Sequence, residues 1–415
     1  MKKIKNIVFI FFVIILGIFL GYENPKLVEV PKKIWKHFFK KNETVIVPRL
    51  TNEKKDKKEI ISGNSFKIKI EKVMKFQDKS AFLEINFDEE HKHNHFKIFM
   101  QNGFVQEKNK AFKLNTPIDF YNEDHGGVRS VFKLNKEYFL LISNKKINCY
   151  YASLYRLSDK RKLLESKCIE DADRIDFSGL GGGYVEYNDS ILLSIGTPTH
   201  YSDKIDNLAQ SNNSIFGKIL KIKKNDLLNM NIEKINYEIF TKGHRNPQGL
   251  AVIEKKIFSL EHGPRGGDEL NIIENNKNYG WPIYSYGVRY DGKGGYIKKT
   301  KKDNFVNPIY TFLPAIAPSS LAKCPLDLDK YYKENLCLMG LSLRARSIFV
   351  FLLDKKLYNL VSVEKIYLEE RLRHFGIDKS KNLFQNPDGS FYITTDSFEI
   401  IKVNFFDFEN TYEKN

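Results

Sequence analysis

Cysteine is scarce, four in 415 residues, and none sits in a Cys-x-x-Cys pair or at a Cys/His spacing that would hold zinc or haem. No extended helical period interrupts residues 65 to 405, which sets helical folds aside. No nucleic-acid-binding motif accompanies the net charge of +16, and the lysines are scattered rather than gathered on one stripe. Nucleic acid is therefore excluded as a partner. Lys, Asn, Ile and Phe are abundant together, a compositional bias that leaves a lysine-rich solvated surface. Neither an Ala-x-Ala cleavage site nor a cysteine for lipidation follows the one long apolar run.

That run, IVFIFFVIILGIFLGY at 7–22, sits behind Lys2, Lys3 and Lys5 and reads as a signal peptide or an uncleaved signal anchor. Sixteen residues span a bilayer only with snorkelling flanks. The stretch 23–60 is charged and reads as a tether, with Ile34-Trp35-Lys36-His37-Phe38-Phe39 suited to a membrane surface. Six lysines between Lys26 and Lys41 argue for a cytoplasmic bulk, whereas the cysteine pairs argue for export. Export is the expectation: the periplasmic face of the inner membrane, or secretion into the periplasm.

Apolar residues make up 42% of the chain, and 32 Phe with 22 Tyr favour strands. From 61 to 407 short apolar runs alternate with turns, and 408–415 is a polar tail. Glycine or proline introduces GGVRSVF at 126, GGGYVEY at 181, NPQGLAV at 246, APSSLAK at 317 and NPDGSFY at 386, at intervals of 55 to 71 residues. Such a period predicts four-stranded propeller blades without fixing their number. The cysteines fall as Cys149/Cys168 and Cys324/Cys337, each pair closing a short loop that a hairpin can bridge. Two local disulfides imply an oxidising compartment; four buried thiols are the alternative.

The densest chemistry lies in GHRNPQGLAVIEKKIFSLEHGPRGGDELNIIENNKNYGW, residues 243–281. Two Gly/Pro loops flank a short strand. Arg245 and Asn246 in the first can grip an anionic, carbonyl-rich ligand. In the second, the carbonyls of a Gly-Pro turn and the acids Asp268-Glu269 suit a hard cation, or else cap loops. GHRNPQGLA, EHGPRGGDELN and NYGWP together resemble the signature of the glucose/sorbosone dehydrogenase family. The resemblance implies an all-β, six-bladed β-propeller that oxidises sugars with pyrroloquinoline quinone and Ca2+.

It also implies site residues. Arg245 and Asn246 would contact the quinone, and the carbonyls of Gly263 and Pro264 would help hold calcium. Glu269 and the backbone at Tyr279 match a second calcium site. Tyr290 matches a tyrosine near the cofactor. Ser342-Leu343-Arg344 stands where the family has a Ser-Leu-Lys-like block. Glu370-Arg371-Leu372-Arg373 matches an E-R-I-R block whose arginines clamp the cofactor carboxylates, and alternation along a strand puts Arg371 and Arg373 on one face.

Two departures stand out. The family's catalytic histidine, in a pattern like H-x-G-G-R-L, takes the hydroxyl proton as hydride passes to the quinone. Its place here reads Ser178-Gly179-Leu180-Gly181-Gly182-Gly183; the nearest imidazole, His200, follows the next strand. One blade earlier, His125-Gly126-Gly127-Val128-Arg129 reproduces the H-x-G-x-R spacing, which makes His125 the candidate catalytic base, a turn histidine being the alternative. The family's first-blade motif is also missing between Ser65 and Ile118. The expected function is quinoprotein oxidation of a sugar or related alcohol, with an external electron acceptor and membrane attachment through the N-terminal segment. A propeller that has lost its base and serves as a periplasmic binding or assembly module is the alternative.

Overall fold

The computed structural model describes residues 59–409 except 63–64, 89, 91–92, 171–174, 199–201, 297–303 and 379–382, together with a short strand at Val45–Ile46. The apolar run 7–22, most of the tether, His200 and residues 410–415 of the polar tail lie outside the described residues. The chain divides into Met1–Ile46 and Val47–Asn415, and the second unit holds the propeller. Among the described residues no helix is long and apolar enough to cross a membrane.

Six blades follow one another. Blade one is Ser80–Asp88, His93–Met100, Phe104–Glu107 and Lys110–Lys113. Blade two is Val128–Leu134, Glu137–Lys146, Cys149–Arg156 and Arg161–Glu165. Blade three is Gly181–Tyr187, Ser190–Ile195, Lys218–Lys223 and Glu238–Lys242. Blade four is Pro247–Ile253, Lys256–Glu261, Asp268–Ile273 and Tyr310–Phe312. Blade five is Pro318–Lys323, Asn335–Ser342, Ser347–Asp354 and Leu360–Tyr367. Blade six takes Leu372–Ile377, Phe391–Thr395 and Glu399–Phe406 from the C-terminal side and Lys67–Lys75 from the N-terminal side.

The first strands of the six blades touch in a closed ring, each against the next. Middle strands such as SILLSI and SIFVFLLD are nearly continuous apolar runs because neighbouring blades cover both their faces. The outermost strand of blade five, LVSVEKIY, mixes in charges where solvent reaches it. The core lies between blades: Leu141 and Leu154 of blade two share one cluster with Leu193 and Leu220 of blade three. Fully burying each such side chain contributes roughly 1.5–3 kcal/mol.

Closure joins the two ends of the propeller. Ile70 and Ile68 pair opposite Val403 and Phe405, so blade six is completed by an early strand. A parallel pairing of Gly376 with Leu83 then fuses blades six and one into a continuous sheet. The ring is thereby left without an open edge between its ends.

The repeat signals at 126, 181, 246 and 317 mark the first strands of blades two to five. The signal at 386 is displaced: NPDGSFY leads into the second strand of blade six, whose first strand is Leu372–Ile377. Blade one carries no such signal, because Ser80 follows a turn without glycine or proline. Both cysteine pairs are disulfides, with Cα–Cα separations of 5.3 and 5.4 Å.

Candidate active site

The segments that enter the first strands all arrive at one end of the ring. Together they line a cavity of about 330 Å³. Blade one contributes Lys79 and Gln101, blade two His125 and Arg129, and the loop before blade three Ser178. The loop before blade four brings Arg245 and Asn246. His262, Gly263 and Pro264 come from its next loop, and Tyr290 from a later excursion. Leu343 and Arg344 of blade five and Arg371 and Arg373 of blade six complete the wall.

Five guanidinium groups face this one space: Arg129, Arg245, Arg344, Arg371 and Arg373. Arg371 and Arg373 both reach Asp396, Arg371 Nε at 2.9 Å and Arg373 Nη2 at 3.0 Å, so they share one face as alternation predicts. Asp396 is held below its ordinary pKa: burial pushes it up, but hydrogen bonds and charge from Arg373 and Arg371 outweigh that. Arg129 is pushed down to about 10 by burial and then by the like charge of Arg373. Its guanidinium donates to the carbonyls of His125 at 3.0 Å and Ser178 at 3.5 Å. Burial, and after it the neighbouring Arg245, hold His262 near 3. The cavity is built to receive negative charge.

The loop His244-Arg245-Asn246 is shaped by Glu261. Its carboxylate accepts from the backbone N–H groups of Arg245 and Asn246 and lies 2.9 Å from His244 Nδ1. The Arg245 guanidinium lies 5.4 Å from the Trp281 ring centroid, a cation–π contact that fixes its direction. Asn246 lines the cavity, yet its amide also ties blades together. Its Oδ1 accepts from the Gly181 N–H at 3.0 Å, and Nδ2 donates to the Ser178 carbonyl at 3.3 Å.

Asp268 binds two loops through its carboxylate and also lines the cavity. It accepts from the N–H groups of Gly263 at 2.8 Å and of Ile316 and Ala317 at 2.7 Å. These contacts are those of a loop cap. The Tyr290 hydroxyl donates to the Pro264 carbonyl at 3.1 Å, which sets that turn against the cavity. The backbone oxygens of Gly263 and Pro264 suit a hard cation; the cavity's surplus positive charge means that an anion must accompany it.

His125 sits at the rim with its side chain about half exposed, in the left-handed region at φ 58°. Its Nδ1 lies 3.1 Å from Asp176 Oδ1, and Asp176 also accepts from the Ser178 N–H at 2.8 Å. A carboxylate at Nδ1 fixes the tautomer with its proton there and leaves Nε2 as the acceptor.

Several sequence expectations fall elsewhere. Leu372 is fully buried in the core of blades five and six, because in that strand it alternates with the two arginines. The Ser342 hydroxyl is buried and donates to the Ser347 carbonyl at 3.1 Å within its own hairpin. Neither side chain reaches the cavity. Glu269 and the backbone at Tyr279, expected at a second calcium site apart from the quinone, lie outside the cavity and group around Glu261. Glu269 pairs opposite Glu261 across the sheet, and burial, then that neighbour's charge, push its pKa well above the ordinary carboxylate range. The Tyr279 ring stacks on His244 with centroids 4.6 Å apart. Sequence reasoning missed Asp176 and Asp396, both loop acids whose partners lie in other loops or strands. It also passed over Arg129 as a cavity residue, although the H-x-G-x-R spacing contains it.

Known proteins place this geometry. Residues 144–401 match the family described as Glucose / Sorbosone dehydrogenase. The aldose sugar dehydrogenase YliI of Escherichia coli is 30% identical over 177 residues, 40% of this chain and 43% of that protein. The apo-form crystal structure of the soluble aldose sugar dehydrogenase from Escherichia coli superposes with a TM-score of 0.63 at 20% identity, covering 81% of this chain and 99% of that one. The PQQ-bound aldose sugar dehydrogenase of Streptomyces coelicolor gives 0.53 at 15% identity, covering 83% and 100%. Two curated relatives are matched over about half their length, 51% and 43%. The family match runs from the second strand of blade two into the third strand of blade six and covers more than half the chain, so this chain belongs to the glucose/sorbosone dehydrogenase family.

Proposed function

We propose that the chain is a quinoprotein dehydrogenase that oxidises a sugar or related alcohol with pyrroloquinoline quinone. The observation that carries this reading is the convergence of five guanidinium groups on one cavity. A planar cofactor bearing three carboxylates is the complementary ligand, since guanidinium binds carboxylate in a bidentate fork. The PQQ-bound Streptomyces coelicolor relative, with the same fold, supports the choice.

Arg371, Arg373 and Arg129 would hold the carboxylates, with Arg344 and Arg245 elsewhere on the wall. Carbonyls of Gly263 and Pro264 would hold calcium alongside the cofactor, and Asp268 keeps their loop in place. When bound, the quinone supplies a two-electron acceptor for the hydride of the substrate's carbinol carbon. His125, with Nδ1 held by Asp176, presents Nε2 to take the substrate hydroxyl proton. His262 stays neutral beside the arginines and offers a polar contact without adding charge. The two disulfides suit an oxidising compartment such as the periplasm; attachment through the N-terminal segment and an external electron acceptor complete the proposal.

The test is a titration of purified protein with pyrroloquinoline quinone, with and without Ca2+, followed by dye-linked oxidation of a panel of aldoses. Saturable cofactor absorbance at micromolar quinone and turnover of at least one sugar are expected. No cofactor binding with calcium present overturns the reading and leaves a propeller that binds or assembles.

A further inference from the structure

The geometry points to a second site, for a zinc-class divalent transition metal, at the tip of the first hairpin of blade one. Asp88, His93 and His95 each offer one ligand atom there, and the three atoms lie within 4.8 Å of one another. The constellation is independent of the cavity and of the function proposed for it.

The strand pairing explains why these three meet. His93 and His95 are two apart on one strand and so project to the same face. Asp88 stands directly opposite His93 on the partner strand, which puts its carboxylate on that face too. Asp88 Oδ2 reaches diagonally to His95 Nε2 at 3.3 Å. The two imidazole rings meet edge to face with centroids 4.3 Å apart.

The intervening residue anchors the strand from behind. Asn94 Nδ2 donates to Asn386 Oδ1 at 2.8 Å and to the Tyr392 hydroxyl at 2.7 Å, both in blade six. Phe96, on the same side, packs edge to face on Tyr392 at 5.0 Å. The histidine-bearing face is therefore held by two blades and is not a free loop tip.

Spacing and donor type choose the ion. Tetrahedral zinc with bonds of ~2.0–2.1 Å places its ligand atoms about 3.3 Å apart. The Asp88–His95 pair already has that separation, and the His93 ligand atom lies within 4.8 Å of both. Two imidazoles and one carboxylate suit Zn2+, Ni2+ or Cu2+, whereas Ca2+ and Mg2+ prefer all-oxygen sets. His93 is exposed and the other two are half-buried, so water can fill the remaining positions. Ser80 begins this hairpin near the cavity and Asp88 ends the same strand, about 26 Å away at ~3.3 Å per residue. The ion would clamp the opposite end of blade one, where that blade meets the closing blade.

Untagged full chain, stripped with chelator, should retain one Zn2+ per chain after equimolar zinc and gel filtration at micromolar protein. Retention should survive excess Ca2+. His95→Ala and His93→Ala should each weaken zinc binding by at least the ~10–100-fold that loss of a supporting group costs. Asp88→Asn keeps the shape of the hairpin and should weaken it similarly. Co2+ should give visible absorption of four- or five-coordinate intensity in wild type and lose it in the His93→Ala/His95→Ala double variant. No stoichiometric zinc in wild type, or undiminished zinc and cobalt signals in the folded double variant, would overturn the assignment.

Discussion

His125 Nδ1 lies 3.1 Å from Asp176 Oδ1, bridging the loop before blade two and the loop before blade three. The pair stands at the rim of the arginine-lined cavity, one blade before the position where the family carries its histidine. A histidine oriented by a carboxylate is the arrangement a general base requires.

His125→Ala should leave quinone binding unchanged and lower dye-linked turnover by ~10²–10⁴, the usual contribution of general-base catalysis. Asp176→Asn should lower kcat as well, with KM nearly constant, because an amide no longer enforces the Nδ1–H tautomer. Full turnover by His125→Ala would place the base elsewhere and return His125 to the role of a turn residue.

The two clamp arginines should separate under mutation. Arg371 is about half exposed and shares Asp396 with Arg373, whereas Arg373 is largely buried. Arg371→Ala should weaken quinone binding by roughly ten- to a hundred-fold, the ~1.5–3 kcal/mol of a charge-assisted hydrogen bond, with little change in Tm. Arg373→Ala should weaken binding similarly and also lower stability, because it strips a buried carboxylate of its main partner. Calorimetry of binding beside thermal melts of the apo protein reads both. Equal melts for the two variants would contradict the burial difference.

The fold was legible because strand and turn chemistry is local: glycine- and proline-led apolar runs name the first strands of blades two to five. Blade one escaped, since its first strand follows an ordinary turn, and the marker at 386 named a second strand. In the cavity, Arg245, Arg371 and Arg373 could be read from motif and alternation. Asp396 and Asp176 could not, because each meets its partners only once separate segments are brought together. The cluster of Asp88, His93 and His95 was invisible to a search for cysteine-based spacing. Its ligands are assembled by register across a hairpin.

His374 makes stability depend on pH. Burial, then the charges of Arg373 and Arg129, lower its pKa to about 3, against smaller raising effects from Asp396 and a Ser80 backbone contact. An unfolded histidine titrates near ~6.5, so below that value the unfolded chain binds a proton that the folded chain refuses. The contribution is complete above pH ~6.5 and is lost as pH falls toward 3, at up to ~1.4 kcal/mol per pH unit. Urea denaturation at pH 7 and pH 5 should show the loss, and His374→Gln should flatten it. An unchanged slope in His374→Gln would assign the acid sensitivity to other groups.

The disulfides each close a short loop, 19 and 13 residues in sequence separation, and should contribute about 2–4 kcal/mol apiece. Peptide mapping without reductant should recover Cys149 with Cys168 and Cys324 with Cys337, and reductant should lower Tm. Four alkylatable thiols in protein from an oxidising compartment would remove both the pairing and its support for export.

Gly127 couples the fold to the proposed base. Its φ of 105° is outside what side-chain-bearing residues readily adopt, and a Cβ there would meet the Gln101 carbonyl oxygen at 2.0 Å. The Val128 N–H donates to that same carbonyl at 2.9 Å, and Ser143 Oγ accepts from the Gly127 N–H at 2.7 Å. The loop carrying His125 is thus pressed against blade one with no room for a methyl group. Gly127→Ala must either tear this contact or rotate the backbone, at a cost of ~1–3 kcal/mol for the conformation alone. A lower Tm is expected, together with reduced turnover in the molecules that remain folded, since His125 moves with the loop. Gly292→Ala is the control: its φ is also positive, at 78°, but nothing lies within 4 Å of the added carbon. If the two variants melt alike, backbone conformation alone accounts for the loss, and the tight seat of the His125 loop on blade one is not what holds it.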